Sequence, residues 1–197
     1  MIASQPQGQD ALHMDETSYL VFESKNEQKH EFVDGQVYAM TGASWNHNVI
    51  CQNVATTLNN QLADSPCVVV ANDLRLKVES KNVSFRYPNI MVICDEPQFV
   101  EGRDDTILNP SVLVEVLSPS SVVVDHNVKL DEYTSINSVQ EYIMIAQDEA
   151  KVERFQRQVT GGWLYSNVKG LDQIITLSSI NCQINLETIY NKIILKR

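Results

Sequence analysis

Ile50, Val54, Leu58 and Leu62 recur every four residues, with Val49 and Ala55 beside them. That spacing puts one apolar stripe along a helix from about residue 44 to residue 63. Ser44 is placed to cap its start, and Pro66 closes it. Beyond Pro66 the period changes. Residues 67–71 form a short apolar run, and Leu74, Leu76 and Val78 alternate with Arg75, Lys77 and Glu79, as in a half-buried strand. Residues 90–94 are apolar throughout, and 112–117 are apolar except at Glu115. Central strands covered on both faces read this way.

Upstream, Thr17 is placed to cap a short helix carrying Tyr19, Leu20 and Phe22, and residues 32–40 predict a strand with a turn at Asp34-Gly35. Downstream, residues 125–136 predict a helix. Residues 141–146 and 152–158 predict strands around a turn at 147–150, and Gly161-Gly162 turns the chain into 163–165. Ile174, Ile175, Leu177 and residues 193–195 supply the last apolar segments. The order helix, hairpin, helix, strands, helix, strands predicts an α/β or α+β fold with a mixed central sheet flanked by helices. The even βα alternation of a doubly wound nucleotide fold is missing, as are GxGxxG and GxxxxGK[ST]. Gln-rich residues 1–14 read as a flexible tail, and residues 15–197 as a single domain.

Charge narrows the functional classes. Twenty-five acidic against 15 basic side chains give a net charge of −10, which argues against a protein that coats nucleic acid nonspecifically. A nuclease remains open, because its basic groups can cluster on one face. No apolar run approaches the roughly 20 residues of a membrane span. The first fifteen residues lack Lys, Arg and an apolar stretch, so no secretory signal is read there and a cytoplasmic location is expected. Cys51, Cys67, Cys94 and Cys182 contain no CxxC pair and are expected to be reduced and buried.

Glu115 is the most informative residue. A carboxylate within an otherwise apolar strand costs several kcal/mol unless a cation, a metal or a cleft compensates it. Lys129, on the helix that follows, is a candidate compensator. It is also spaced for a local i,i+4 pair with Asp125, and Tyr133 lies one turn further on the same face. Two weaker features are the Tyr87-Pro88-Asn89 step opening the 90–94 strand and the charged stretch Lys29-His30-Glu31 before Phe32. Ser118 and Ser121 with His126 lack the GxSxG elbow of a serine hydrolase, and His47 reads as a packing residue of the long helix.

Taken together, KHEFVDGQVYAMTGASWNHN (29–48), YPNIMVICDEP (87–97), NPSVLVEVLSPSS (109–121), DHNVKLDEY (125–133) and SVQEYIMIAQD (138–148) resemble the Uma-two family of restriction endonuclease-like proteins, within the PD-(D/E)XK nuclease superfamily. The resemblance implies a restriction endonuclease-like fold and hydrolysis of DNA phosphodiester bonds dependent on Mg²⁺ or Mn²⁺. Carried over, Glu31 is the accessory carboxylate, Glu115 the strand carboxylate and Lys129 the catalytic cation. The family places its Lys two residues after the strand Glu. Leu117 stands there, leaving only a main-chain carbonyl for a metal. The family's Pro-Asp is Pro88-Asn89 here, so one metal-binding carboxylate is replaced by a neutral carbonyl donor. The implied metal set is Glu31, Asn89, Glu115 and Leu117. The departure at Asn89 leaves two expectations: an attenuated nuclease, or an inactive relative acting on nucleic acid or in an oligomer. A homodimer is expected, because the superfamily often pairs its active sites.

Overall fold

The computed structural model describes residues 12–118 and 121–195. Strand β1 (Leu12–His13) is followed by helix α1 (Glu16–Glu23). The cap of α1 is Asp15, whose side chain accepts from the Ser18 N–H at 2.7 Å, and not Thr17. Strands β2 (His30–Val33) and β3 (Gln36–Ala39) form the expected hairpin. Its two turn residues, Asp34 and Gly35, both have positive φ (49° and 83°), the backbone that a two-residue turn between twisted strands requires. Helix α2 (Trp45–Gln61) starts where predicted, the Ser44 hydroxyl accepting from the His47 N–H at 3.1 Å.

Strands β4 (Val68–Ala71), β5 (Arg75–Glu79), β6 (Val83–Arg86), β7 (Ile90–Ile93), β8 (Thr106–Ile107) and β9 (Val112–Leu117) come next. One helical run then combines α3 (Val122–Val124), a π-helical segment (Asp125–Lys129) and α4 (Leu130–Ser135). It begins three residues before the predicted start at Asp125. Strands β10 (Glu141–Ala146), β11 (Lys151–Arg157), β12 (Trp163–Lys169), β13 (Ile174–Leu177) and β14 (Cys182–Asn185) precede the short helix α5 (Leu186–Ile189).

The strands make two six-stranded sheets and one two-stranded sheet. The first large sheet has the order β1-β3-β2-β6-β5-β8, the second β12-β11-β10-β9-β7-β4, and β13 pairs with β14. Both large sheets are mixed, with β5–β8 and β9–β10 parallel and the other pairs antiparallel. The α+β class holds, with two sheets where the pattern suggested one.

Alternation along β9 sets the layers. Val112, Val114 and Val116 join the core built with Ile50, Val54 and Leu58 of α2 and with β13–β14. Leu113 and Leu117 point the other way, into a core shared with Leu76 and Val78 of β5 and Tyr133 of α4. A third cluster packs Tyr19 of α1 on Phe32, Val37 and Phe85. Each face of β9 is thus covered, as its apolar run required. Glu115 lies on the second face, between the two large sheets.

Two expectations are corrected. Three residues of the predicted flexible tail are held in the fold: Leu12 and His13 pair with Val37 and Gln36, and the Met14 N–H donates to Gly35 O at 2.9 Å. Residues 1–11 lie outside the described part. The four cysteines are not all reduced. Cys67 and Cys94 form a disulfide, while Cys51 and Cys182 are free and buried. The cause is the β4–β7 register. Val68 opposes Ile93, so the next residues outward, Cys67 and Cys94, face each other across the strand pair.

Candidate active site

Two strand pairings and one helix converge on Glu115. The β7–β9 register places Ile90 opposite Val114, which brings Asn89 beside Glu115 at the mouth of β7. Its side-chain oxygen accepts from the Val116 N–H at 2.7 Å, and its own carbonyl accepts from the Asn72 N–H at 3.0 Å. The β2–β6 register pairs Phe32 with Phe85, so Glu31 and Arg86 are the next neighbours, and Arg86 Nη1 donates to Glu31 Oε2 at 2.8 Å. Arg86 also grips Glu132 with Nε and Nη2, at 2.7 and 2.9 Å.

The π-helical segment supplies the rest. It widens one helical turn by a residue, a feature often found at functional sites. Lys129 Nζ lies 2.9 Å from Glu115 Oε1, 3.2 Å from Asp125 Oδ1 and 3.5 Å from Glu31 Oε1. The Tyr133 hydroxyl donates to the same Glu115 oxygen at 2.9 Å. The two readings of Lys129 therefore hold together, since one ammonium serves both Glu115 and the local partner Asp125.

Burial sets the electrostatics. Glu115 is 3% exposed, and its carboxyl is pushed up to about 7 by burial, with Asp125 and Glu31 adding to the effect and Lys129 only partly offsetting it. Glu31 resists its own desolvation because Lys129 and Arg86 hold its carboxyl below the ordinary value. Desolvation would likewise discharge Lys129, but Glu115, Glu31 and Asp125 keep its pKa well above the usual one. Burial and the neighbouring carboxylates push the Tyr133 phenol far up, so it stays a donor.

The structure brings Glu31, Asn89, Glu115 and Lys129 to one place. Leu117 ends β9 with its side chain in the apolar core, one alternation beyond Glu115. Sequence reasoning assigned no site role to Asp125, Arg86, Glu132 and His47. The signal for Asp125 was its i,i+4 spacing to Lys129. Arg86 is one of three buried residues closing β6, a burial that the mixed polar and apolar sequence of that strand does not signal. His47, in the first turn of α2, lies close enough to Asn89, Asp125 and Lys129 for each to act on its pKa. Burial lowers that pKa, with Asn89 and Asp125 opposing the shift. A cavity of about 380 Å³, lined by Lys29, Asn48, Asn72 and Tyr87, opens onto Asn89.

The donor chemistry suits a hard dication. Four carboxylates (Glu31, Glu115, Asp125 and Glu132) surround two cations (Lys129 and Arg86), an excess of two negative charges when all are ionised. Asp125 Oδ1 is buried and has no hydrogen-bond partner, its contact with Lys129 being ionic only. Oxygen ligands of this kind are those of Mg²⁺ and Mn²⁺. The Lys129 ammonium now stands among these oxygens. Among the described residues no three His, Cys, Asp or Glu side chains close into a metal-binding group.

The chain is 34% identical over 160 residues to the uncharacterized protein sll1609 of Synechocystis sp. (strain PCC 6803), covering 81% of this chain and 90% of that one. It is 31% identical over 174 residues to slr1290, an uncharacterized protein of the same organism, covering 87% and 88%. Among solved structures it resembles one described as a "putative nuclease belonging to DUF820" from Anabaena variabilis. The TM-score is 0.69 at 16% identity over 87% of this chain and 95% of that one, a likeness of fold. The family model Uma2, described as "Putative restriction endonuclease", matches residues 16–187, and the chain belongs to that family.

Proposed function

We propose that this chain is a divalent-metal-dependent nuclease that hydrolyses DNA phosphodiester bonds, its site carried by a single domain over residues 15–197. The observation that carries the reading is the convergence of Glu115, Glu31 and Asp125 on Lys129, with more buried negative charge than the two cations balance. Family membership supports the reaction class. Glu31, Glu115 and the Asn89 side-chain oxygen would hold Mg²⁺ or Mn²⁺, together with the Leu117 main-chain carbonyl, and Asp125 adds a further carboxylate. Bound there, the ion would lower the pKa of a water and neutralise charge on the phosphate. Lys129 stabilises the negative charge that builds up during cleavage. Tyr133 and Arg86 hold Glu115 and Glu31 in orientation. A cytoplasmic location and pairing into a homodimer belong to the same proposal. No described helix is long and apolar enough to cross a membrane.

One observation favours a second reading. Asn89 replaces a carboxylate, and the Lys129 ammonium already occupies the space between Glu115 and Asp125. An inactive relative, binding nucleic acid or assembling without cleavage, would look like this. Nicking of supercoiled plasmid separates the two. The nuclease reading expects nicking in Mg²⁺ or Mn²⁺, abolished by EDTA and reduced at least about a hundredfold in Glu115→Gln. No nicking with either metal, or equal nicking by the variant, overturns it.

A further inference from the structure

A second cavity lies one residue beyond the candidate centre. It measures about 290 Å³, and its floor is Leu117, Met144 and Ala146. The β9–β10 register sets Met144 opposite Glu115 and Ala146 opposite Leu117, so floor and centre share the same two strands. The wall is shared as well. Asp125 faces Lys129, and His126, the next residue of the π-helical segment, lines the cavity.

The polar groups of this cavity are fixed in place. Glu153, 6% exposed, accepts from Tyr165 OH at 2.7 Å and pairs with Lys151 at 2.9 Å through one oxygen. Its other oxygen lies 3.1 Å from His126 Nε2. The cavity's two basic side chains, His126 and Lys151, are thereby committed to a carboxylate. Asp148 and Glu149 add two more carboxylates to the lining. A phosphate entering here would meet three carboxylates and no uncommitted cation. A flat, neutral, partly apolar group with N–H donors fits instead, its faces on Leu117 and Met144 and its donors towards the acidic rim.

We infer that this cavity receives one unstacked nucleobase of a strand passing the centre, and that it favours bases with an exocyclic amino group: adenine, cytosine or guanine. Carboxylates accept from such amino groups, whereas uracil and thymine present a carbonyl at the corresponding edge. The identity of the ligand rests on the nuclease reading. The consequence is a preference for single-stranded or locally opened nucleic acid, because a base within a duplex cannot reach a pocket of this kind.

The test uses nucleosides, which carry no phosphate and need neither metal nor Glu115. The full chain is titrated with 2-aminopurine riboside, followed by fluorescence, with adenosine, cytidine and uridine as competitors. Saturable binding is expected, with uridine competing about tenfold more weakly than cytidine. Ala146→Leu fills the floor and should weaken binding at least about tenfold. Glu149→Gln, which keeps the side chain's shape at a half-buried rim position paired with Lys169 at 2.8 Å, should reduce the preference for amino-bearing bases. No saturable binding at millimolar nucleoside, unchanged binding by Ala146→Leu, or equal competition by uridine and cytidine would overturn the inference. Plasmid nicking reports the metal centre separately, so loss of one activity leaves the other readable.

Discussion

Lys129 and Glu115, fourteen residues apart in the chain, meet at 2.9 Å in a site where Lys129 is 8% and Glu115 3% exposed. Removing one partner of a buried ion pair leaves the other uncompensated, at a typical cost of about 3–5 kcal/mol. Lys129→Met should therefore destabilise strongly, because it strands Glu115 and Asp125 together. The double variant Lys129→Met with Glu115→Gln should recover part of the loss. Urea denaturation of the four proteins in the cycle measures the coupling. Additive single effects would show that the pair contributes nothing as a pair.

The Glu115 carboxyl gives the site a pH signature. Its pKa is raised from the ordinary 4.5 to about 7 by burial, so the folded protein holds a proton that the unfolded chain releases earlier. The sign follows from linkage. The stabilisation is complete below about pH 4.5 and is lost as pH rises through 7, up to about 3 kcal/mol in total. Metal-free wild type should lose stability relative to Glu115→Gln between pH 5 and 8. Parallel stability curves for the two proteins would remove the basis for this assignment.

Asn89→Asp restores a third carboxylate beside Glu31 and Glu115. The hydrogen bond from the Val116 N–H survives, since Asp keeps the acceptor. Like-charge repulsion should lower metal-free stability, and Mg²⁺ should then raise the melting temperature of the variant more than that of wild type. Thermal melts with and without Mg²⁺ measure both effects. An equal Mg²⁺ shift in the two proteins would mean that position 89 does not contribute to cation binding.

The carboxylate in β9 was legible because nothing else in 112–117 is polar, and Lys129 because a buried carboxylate needs a partner. Asp34-Gly35 and Ser44 were legible because turn and cap chemistry is local. The sheet partners were not. Arg86 reaches Glu31 only through the β2–β6 register, and Asn89 reaches Val116 only because β7 runs beside β9. The split into two large sheets likewise depends on long-range pairing that no short pattern encodes. The helix containing Lys129 began three residues earlier than predicted because Val122–Val124 carries no strong start signal. Its π-helical turn has no sequence signature.

Cys67 and Cys94 were misread for the same reason, since their contact depends on β4 lying against β7. The disulfide closes a sequence separation of 27 residues, for which the chain-entropy model gives about 3.5 kcal/mol of stabilisation. Dithiothreitol should lower the urea midpoint of wild type and leave a Cys67→Ala, Cys94→Ala variant unchanged. An unchanged wild-type midpoint under reduction confirmed by thiol titration would show that the link adds nothing to stability.

The central claim is that the oxygens gathered around Lys129 form a divalent-cation site. Electron paramagnetic resonance of Mn²⁺, titrated into wild type and Glu115→Gln, tests it directly by counting bound ions. The account predicts saturable Mn²⁺ binding by wild type, competed by Mg²⁺ and at least about tenfold weaker in Glu115→Gln. Mn²⁺ that stays free in solution, or binds equally well to the variant, would contradict it.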